Sequence, residues 1–391
     1  MQQRIALRGG RVLTQAGELA PYTLIVEGAL IHGLIAAGEP IPSGTRELDV
    51  TGCVVAPGFI DTHVHGGVGH NFMEGTAEAL AAISRHMVRG GVTACLATTT
   101  SAGPSHLVRA LANAEAARRR PVDGQVQILG AHLEGPFVNP KFRGAHAEAY
   151  VREATRAELD AILAAAGQAL KVVTLAPEIP GGMAATRLLA ARGIQVSLGH
   201  SGASYREARA ALAAGVRRGT HLFNAMPPIH HRDPGPVIAL LEDAGAFVEL
   251  IVDGHHIHPS VVRMAVRQAG PDRAVLITDC SDVAGRGDGA FTRWEGTQVT
   301  VTNGQARTFS GSLAGSTLRM DQAVANLVNL AGIPLPQALR MASENPARSV
   351  GVLDRKGTLG PGKDADIVVL RADHSVAMTL IRGQIAYTSE E

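Results

Sequence analysis

Two histidines, His63 and His65, end an apolar run and are followed at once by Gly66 and Gly67. Residues two apart on a β-strand point to the same face, so this spacing presents two imidazoles side by side at the end of the strand. Imidazole is a common ligand of transition metals. The pair is a candidate half of a metal site, and two polar residues at a strand exit are the ordinary alternative.

Further ionisable side chains stand where later apolar runs end. They are His132 with Glu134, His200, His221, Asp253 with His255 and His256, and Asp279. A single histidine at a strand exit usually hydrogen-bonds a loop, and Asp279 alone could cap a turn. Six strand ends that each carry such a group are hard to attribute to chance, and together they predict a metal site.

The chemistry of these groups suits hydrolysis. Glu134, His200 and His221 offer a carboxylate and two imidazoles to a divalent ion, which leaves a position open for water. Such an ion lowers the pKa of water and polarises a carbonyl group. Asp279 is the candidate acid and base that moves the proton. We expect Zn²⁺, although ligands of this kind also suit Fe²⁺, Co²⁺, Ni²⁺ and Mn²⁺.

The elements that must position these residues alternate along most of the chain. Strand-length apolar runs lie at 54–60, 92–97, 126–133, 171–176, 194–199, 216–221, 247–252 and 274–279, and helical stretches include 76–89, 104–119, 153–168, 182–192, 204–214, 259–269 and 317–331. Continuous apolar strands between helices indicate a parallel sheet buried on both faces. Eight of them predict an α/β fold, a closed (β/α)8 TIM-like barrel, in which the C-terminal strand ends converge on one point.

The two chain ends differ from this pattern. Residues 1–53 and 356–391 consist of short β segments and turns, and neither end has enough apolar residues to stand alone. We expect them to form one small β-sandwich domain, with the barrel domain at 54–355 inserted between them. Residues 281–316 contain Asn303-Gly304 between β-rich runs, which predicts a β-hairpin insert that is either a lid or decoration.

Composition excludes several classes of function. Of the 391 residues, 36 are Lys or Arg and 35 are Asp or Glu, so no net field favours nucleic acid or a membrane surface. Cys53, Cys95 and Cys280 are too few and too distant for a disulfide framework and indicate a reducing compartment. Neither a signal-peptide core nor a membrane-length apolar run is present. We therefore expect a cytoplasmic protein.

The motifs carry a resemblance to known enzymes. The segment Pro57-Gly-Phe-Ile-Asp-Thr-His-Val-His resembles, with Glu134, His200, His221 and Asp279, the amidohydrolase superfamily of metal-dependent barrel hydrolases. Four segments resemble, more narrowly, the N-acetylglucosamine-6-phosphate deacetylase family: His132-Leu-Glu-Gly-Pro-Phe, Leu198-Gly-His-Ser, His221-Leu-Phe-Asn-Ala-Met-Pro and Leu313-Ala-Gly-Ser-Thr. The similarity extends over essentially the whole chain.

This resemblance implies hydrolysis of N-acetyl-D-glucosamine 6-phosphate to D-glucosamine 6-phosphate and acetate, in amino-sugar catabolism or cell-wall sugar recycling. It implies Glu134, His200 and His221 as metal ligands and Asp279 as acid and base. The positions that match contacts to the substrate are Ala145, His146, Asn224, Ala225, Arg232, His256 and Leu313. Some family members lack both strand-one histidines and hold one ion. This chain has both, which allows a second ion bridged by Glu134.

Arg232 is expected to reach the site of a neighbouring subunit in a homodimer. Without the resemblance, it would be interpreted as a surface arginine paired with Asp233. His230, His231, His255 and His258 have no assigned role and are expected to be solvated loop histidines.

Two other functions stay open on the residues alone. A related enzyme could act on a different N-acyl substrate, as a cyclic amidase or an acetyl-amino-acid deacylase does. Many such relatives use a carboxylated lysine as the bridging ligand, where this chain has Glu134. A non-catalytic, ligand-binding barrel is the third interpretation, and the presence of Asp279 together with three ligands argues against it.

Overall fold

The computed structural model describes residues 4–389, and its centre is one eight-stranded parallel sheet. In chain order, barrel strands one to eight are Phe59–Val64, Val92–Thr98, Gln127–Glu134, Leu170–Leu175, Gln195–Leu198, Val216–Gly219, Phe247–Ile251 and Ala274–Ile277. Each strand pairs in parallel with the next along the chain. Nearly all of their residues are buried, as expected for strands covered on both faces.

Backbone hydrogen bonds close the sheet at the C-terminal ends of strands one and eight. The amide of Asp279 donates to the carbonyl oxygen of His63 over 2.9 Å, and the amide of His65 donates to that of Cys280 over 2.8 Å. The sheet is thereby a TIM-like barrel, and the predicted fold class is confirmed.

Helices surround the barrel. Their bounds are Ala77–Arg89, Pro104–Arg119, Arg156–Ala166, Gly182–Ala190, Tyr205–Ala214, Gly235–Glu242, Pro259–Ala269, Met320–Asn329, Leu335–Ala342 and Glu344–Ser349, with short 3₁₀ turns at Pro140–Phe142 and Glu148–Tyr150. The helix Tyr205–Ala214 begins with a capping box between Ser204 and Glu207. The helix Gly235–Glu242 is absent from the sequence prediction because its almost wholly apolar residues show no amphipathic period.

The two chain ends build two further sheets. One contains Leu30–Ala36, Tyr22–Glu27, Arg4–Arg8 and Arg46–Asp49, and the other contains Gln384–Thr388, Val376–Ile381, Ile367–Leu370, Val54–Pro57, Arg11–Leu13 and Leu19–Ala20. An apolar core that includes Leu7, Leu24, Val55 and Leu380 joins them. This arrangement confirms a β-sandwich built from both ends. Residues 1–3 and 390–391 of the predicted sandwich segments lie outside the described residues.

One strand prediction is wrong. The run 54–60 is two strands, because Val54–Pro57 pairs with Ile367–Leu370 in the sheet of the chain ends and only Phe59–Val64 enters the barrel. Gly58 separates them at a point where an added Cβ would lie 2.3 Å from Thr93. Only glycine permits this close approach, which lets the chain pass directly from one sheet to the other.

The insert contains three antiparallel strands, Gly289–Thr292, Gln298–Thr302 and Gln305–Thr308. The predicted hairpin is present, and Asn303 and Gly304 both have positive φ, as a two-residue hairpin turn requires. The strand Gly289–Thr292 of the insert was not predicted. A separate two-stranded pair joins Gly66–Gly67 and His70–Asn71. Within residues 4–389, no helix is both long and apolar enough to cross a membrane.

Candidate active site

Glu134, the last residue of barrel strand three, lies at the centre of a cluster of imidazoles. Its Oε1 atom is 3.2 Å from His63 Nε2, 3.3 Å from His200 Nε2 and 3.2 Å from His221 Nε2. Its Oε2 atom is 3.2 Å from His65 Nε2. The barrel therefore brings together all five metal ligands predicted from the sequence.

Asp279 completes the cluster from the end of barrel strand eight. Its Oδ1 atom is 3.3 Å from His65 Nε2 and 3.6 Å from His63 Nε2. The Nε2 atoms of His200 and His221 lie 3.0 Å apart. All of these side chains are buried. The arrangement concentrates nitrogen and carboxylate donors in one small volume at the C-terminal face of the barrel.

The backbone is strained at three of these residues. His200, His221 and Asp279 have φ values of 48°, 26° and 49°, in a region that non-glycine residues adopt at a cost. Hydrogen bonds hold them there: Asn139 donates its amide to the carbonyl of His200, and Ser316 donates its amide to that of Asp279. The turn aims each side chain into the barrel mouth immediately after its strand ends.

The attraction between imidazoles and carboxylates outweighs the effect of burial on the pKa values of the cluster. Burial disfavours the charged form of His65, but hydrogen bonds to Asp279 and Glu134 raise its pKa to about 9. Burial disfavours the charged form of Asp279 too, but the charge of His63 and a hydrogen bond from His65 lower its pKa to about 2. The same forces hold the pKa of Glu134 well below its usual range. Both carboxylates are therefore ionised at neutral pH.

Two neighbouring histidines, in contrast, are neutral because burial dominates their pKa values. Burial lowers the pKa of His146 and of His132 to about 3 in each case. His132 lies below the cavity, where its ring contacts the carbonyl of Thr62 and the hydroxyl of Thr174. The Nδ1 atom of His146 accepts the amide of Ser101, so its Nε2–H faces Glu134 Oε2 at 3.5 Å.

The donor set fits a divalent metal ion. His63 Nε2 and Glu134 Oε1 are buried without a hydrogen-bond partner among the described residues, although they face each other across the cluster. Two groups of three within this cluster have donor atoms that lie within 4.8 Å of one another: His63, His65 and Asp279, and Glu134, His200 and His221. Buried lone pairs without protein partners, supplied by imidazole and carboxylate, are what a metal ion of this type binds.

A cavity of about 660 Å³ opens above the cluster. Six of the seven sequence-predicted substrate contacts line it: Ala145, His146, Asn224, Ala225, His256 and Leu313. The insert contributes part of the wall through Arg293, Arg307 and Leu313. Lys141, Arg143, Arg293 and Arg307 are cations on this wall that sequence reasoning missed, because only the docking of loop and insert brings them there.

Arg232 does not line the cavity of its own chain. It is exposed, its Nη1 atom lies 2.8 Å from His231 Nε2, and it forms no ion pair with Asp233 in residues 4–389.

The unassigned loop histidines make local contacts. His230 Nδ1 accepts the amide of Arg232, and His258 Nδ1 accepts the amide of Ser260 at the start of a helix. His255 Nδ1 is 3.1 Å from the side-chain amide of Gln305.

A TIM-like barrel whose strand ends carry this donor set defines a metal-dependent hydrolase. The Amidohydrolase family model matches residues 54–386, and the chain belongs to this family.

More particularly, the chain is similar to sugar-phosphate deacetylases, which confirms the narrower resemblance of its motifs. It is 42% identical to the N-acetylgalactosamine-6-phosphate deacetylase of Escherichia coli O157:H7, over 97% of this chain and 98% of that one. It is 42% identical to the N-acetylglucosamine-6-phosphate deacetylase of Vibrio furnissii, over 89% of this chain and 85% of that one. A solved structure also matches, with a TM-score of 0.91 and 36% identity, and the match covers 99% of this chain and 100% of that one. It is the structure of an N-acetyl-D-glucosamine-6-phosphate deacetylase variant from Mycobacterium smegmatis in complex with N-acetyl-D-glucosamine-6-phosphate.

Proposed function

We propose that this enzyme hydrolyses the acetamide of N-acetyl-D-glucosamine 6-phosphate to D-glucosamine 6-phosphate and acetate. The observation that carries the proposal is the position of Asp279. Its carboxylate lines the cavity beside Glu134, His200 and His221, so a base, a metal-ligand set and a substrate-sized space share one location. The motifs and the similarity to deacetylases of N-acetylated sugar phosphates supply the substrate class.

Glu134, His200 and His221 would hold one divalent ion, for which we propose Zn²⁺. His63 and His65 would hold a second ion, and Glu134 would contribute to both metal sites. When bound, such an ion polarises the acetyl carbonyl and lowers the pKa of a water molecule.

The chain's own residues move the proton. Asp279, whose carboxylate lines the cavity beside the ligand set, takes a proton from the water that attacks the acetyl carbon. The protonated carboxyl then gives this proton to the sugar nitrogen as the carbon–nitrogen bond breaks, which leaves a free amine and acetate. His146, held as the neutral Nε2–H tautomer, would donate a hydrogen bond towards the acetyl oxygen or the sugar.

The upper cavity would hold the sugar phosphate. Asn224, the backbone amide of Ala225, and His256 line the wall. His256 is oriented by Asp253, whose Oδ2 atom lies 2.6 Å from its Nδ1. Arg307 also lines this wall, and among residues 4–389 its guanidinium donates to a backbone carbonyl and a neutral side-chain amide but to no carboxylate. A guanidinium without a carboxylate partner is suited to bind a phosphate.

We further propose a cytoplasmic homodimer. Arg232 would then act from the partner subunit, because it is exposed and does not line the cavity of its own chain. The free cysteines support a reducing compartment.

A second candidate substrate is N-acetyl-D-galactosamine 6-phosphate. The relative from E. coli O157:H7, which matches over 97% of this chain, is a deacetylase of that epimer. The two sugars differ only at one hydroxyl group, so both deserve direct comparison.

Acetate release should be measured on both phosphorylated sugars and on unphosphorylated N-acetylglucosamine, beside metal analysis of the same preparation. The proposal expects metal in the protein and a strong preference for a phosphorylated substrate. Higher kcat/KM on the galactosamine epimer would favour the second candidate. Absence of acetate release from all three would refute both.

A further inference from the structure

Glu249, in the middle of barrel strand seven, contacts two residues of the active site without reaching the cavity itself. Its side chain is fully buried, and its Oε2 atom lies 2.9 Å from His63 Nδ1. The same oxygen accepts the backbone amide of His221 over 3.0 Å. One carboxylate thus connects the first-strand ligand pair to the strained turn that follows strand six.

A buried carboxylate requires compensation, and Arg218 provides it. This arginine is 1% exposed, and its Nε atom lies 2.7 Å from Glu249 Oε1. Its two remaining nitrogens donate to the hydroxyls of Ser349 and Thr62. Each charge is therefore paired and hydrogen-bonded, as a buried ion pair must be to persist.

His63, His132 and Glu249 have donor atoms close enough together to suggest a separate metal site. The contacts exclude it. Both oxygens of Glu249 are engaged by Arg218, His63 and the His221 amide, and both ring nitrogens of His132 face Thr62 and Thr174. Three hydrogen bonds already occupy the two oxygens of Glu249, and both ring nitrogens of His132 are engaged, so these two residues do not offer an ion a free pair of ligands.

The bond to Glu249 determines which nitrogen of His63 faces the site. When Nδ1 carries the proton that Glu249 accepts, the lone pair of Nε2 points at the cluster, 3.2 Å from Glu134 Oε1. Carboxylates that bind the outer nitrogen of a ligating histidine fix its tautomer and ring orientation. The second contact fixes the backbone of His221, whose φ of 26° is unfavourable without support.

We infer that Glu249, with Arg218, is a positioning residue that aligns His63 and His221 for metal binding. The inference rests on the metal site of the proposed function. The alternative is that Glu249 and Arg218 stabilise the barrel core only. A buried acid–base pair outside the site, Asp366 with Lys356, offers a matched comparison because it contacts none of the six cluster residues.

The test is the dissociation constant of Zn²⁺ for the metal-free native protein, Glu249→Gln and Asp366→Asn, measured by competition with a chelator. Glu249→Gln should bind Zn²⁺ about 10- to 100-fold more weakly, since that is the usual effect of removing such a carboxylate. Asp366→Asn should bind as the native protein does. The absorption spectrum of bound Co²⁺ should change in Glu249→Gln alone, because it reports ligand geometry rather than global stability.

If Glu249→Gln does not fold, the double variant Glu249→Leu with Arg218→Met removes both charges, a change that buried pairs often tolerate. It should show the same weakened binding.

Native-like Zn²⁺ affinity in the folded Glu249 variant, or equal weakening in Asp366→Asn, would overturn the positioning role. A native protein that binds no Zn²⁺ would instead refute the metal site itself, and this role with it.

Discussion

The amide of Asp279 donates a 2.9 Å hydrogen bond to the carbonyl oxygen of His63, so the proposed base and the first-strand ligand share one backbone bond. The same bond closes the barrel. Its position explains why two residues more than two hundred positions apart keep their side chains within 3.6 Å of each other. Barrel closure and active-site geometry are therefore a single structural property in this protein.

Asp279→Asn should remove turnover and retain metal. Removal of a positioned acid and base typically costs roughly 100- to 10,000-fold in rate. Glu134, His200 and His221 remain as ligands, so metal content measured on the purified variant should stay close to native. Asp160→Asn, at an exposed position of the helix Arg156–Ala166, is the control. Near-normal acetate release by Asp279→Asn would contradict the assigned proton transfer.

Replacing both strand-one histidines, as His63→Gln with His65→Asn, should change metal content more than reaction type. The variant loses two ligands of one group and keeps the complete second group. We expect fewer ions per chain, with acetate still released from the same substrate at a lower rate. Metal analysis and an acetate assay on one preparation test this. Unchanged metal content would show that neither histidine is a ligand.

Subunit mixing tests the role of Arg232. Arg232→Gln and Asp279→Asn should each be nearly inactive alone. In a mixed dimer, the Arg232→Gln chain has a native Asp279 and receives Arg232 from its partner. Random mixing of equal amounts should restore about a quarter of native activity, because half of the dimers are mixed and each has one intact site. Absence of any recovery after subunit exchange would place Arg232 outside the partner's site.

Arg307→Gln tests the phosphate contact made by the insert. Loss of a guanidinium that binds phosphate should raise KM for the sugar phosphate about tenfold or more, in line with a charged hydrogen bond. Turnover of unphosphorylated N-acetylglucosamine should not change. Arg355→Gln, a surface arginine paired with Asp364, is the matched control. Equal effects on both substrates would show that Arg307 does not bind the phosphate.

The stability of Asp366→Asn relative to the native protein should depend on pH. Burial raises the pKa of Asp366 above its ordinary 3.8, although Lys356 opposes this. A raised folded-state pKa means that the stabilisation is complete below 3.8 and is lost as the pH rises through the raised value. The destabilisation caused by Asp366→Asn should therefore shrink with rising pH in denaturant titrations. A pH-independent difference would contradict the raised pKa.

Much of the site could be predicted because periodicity and topology act together. Runs ending in Glu134, His200, His221 and Asp279 are recognisable as strands, and a barrel gathers such ends at one face. No detailed structure was needed to expect that these four meet. Their strained backbone, by contrast, has no signal in the residue types.

Glu249 and Arg218 were missed, although a signal exists. Each is a charged residue at a buried position of a strand in a sheet that is buried on both faces, and Glu249 is the one charged residue of an otherwise apolar strand. A buried charged residue needs a partner of opposite charge. Glu249 and Arg218 have opposite charges and lie on adjacent strands, so they could have been predicted to pair. The break at Gly58 and the cations of the cavity wall depend instead on how separate units dock, which local sequence does not determine.

The sheet of the chain ends places Val54–Pro57 between Arg11–Leu13 and Ile367–Leu370. During synthesis, the strand that leads directly into the barrel thus has a free edge until nearly the whole chain has left the ribosome. An unpaired strand edge is prone to wrong pairing, and contacts so distant in sequence form slowly. The nascent chain must therefore protect this edge through most of its translation, and shortening the C-terminus should impair the yield of folded protein before it alters any residue of the active site.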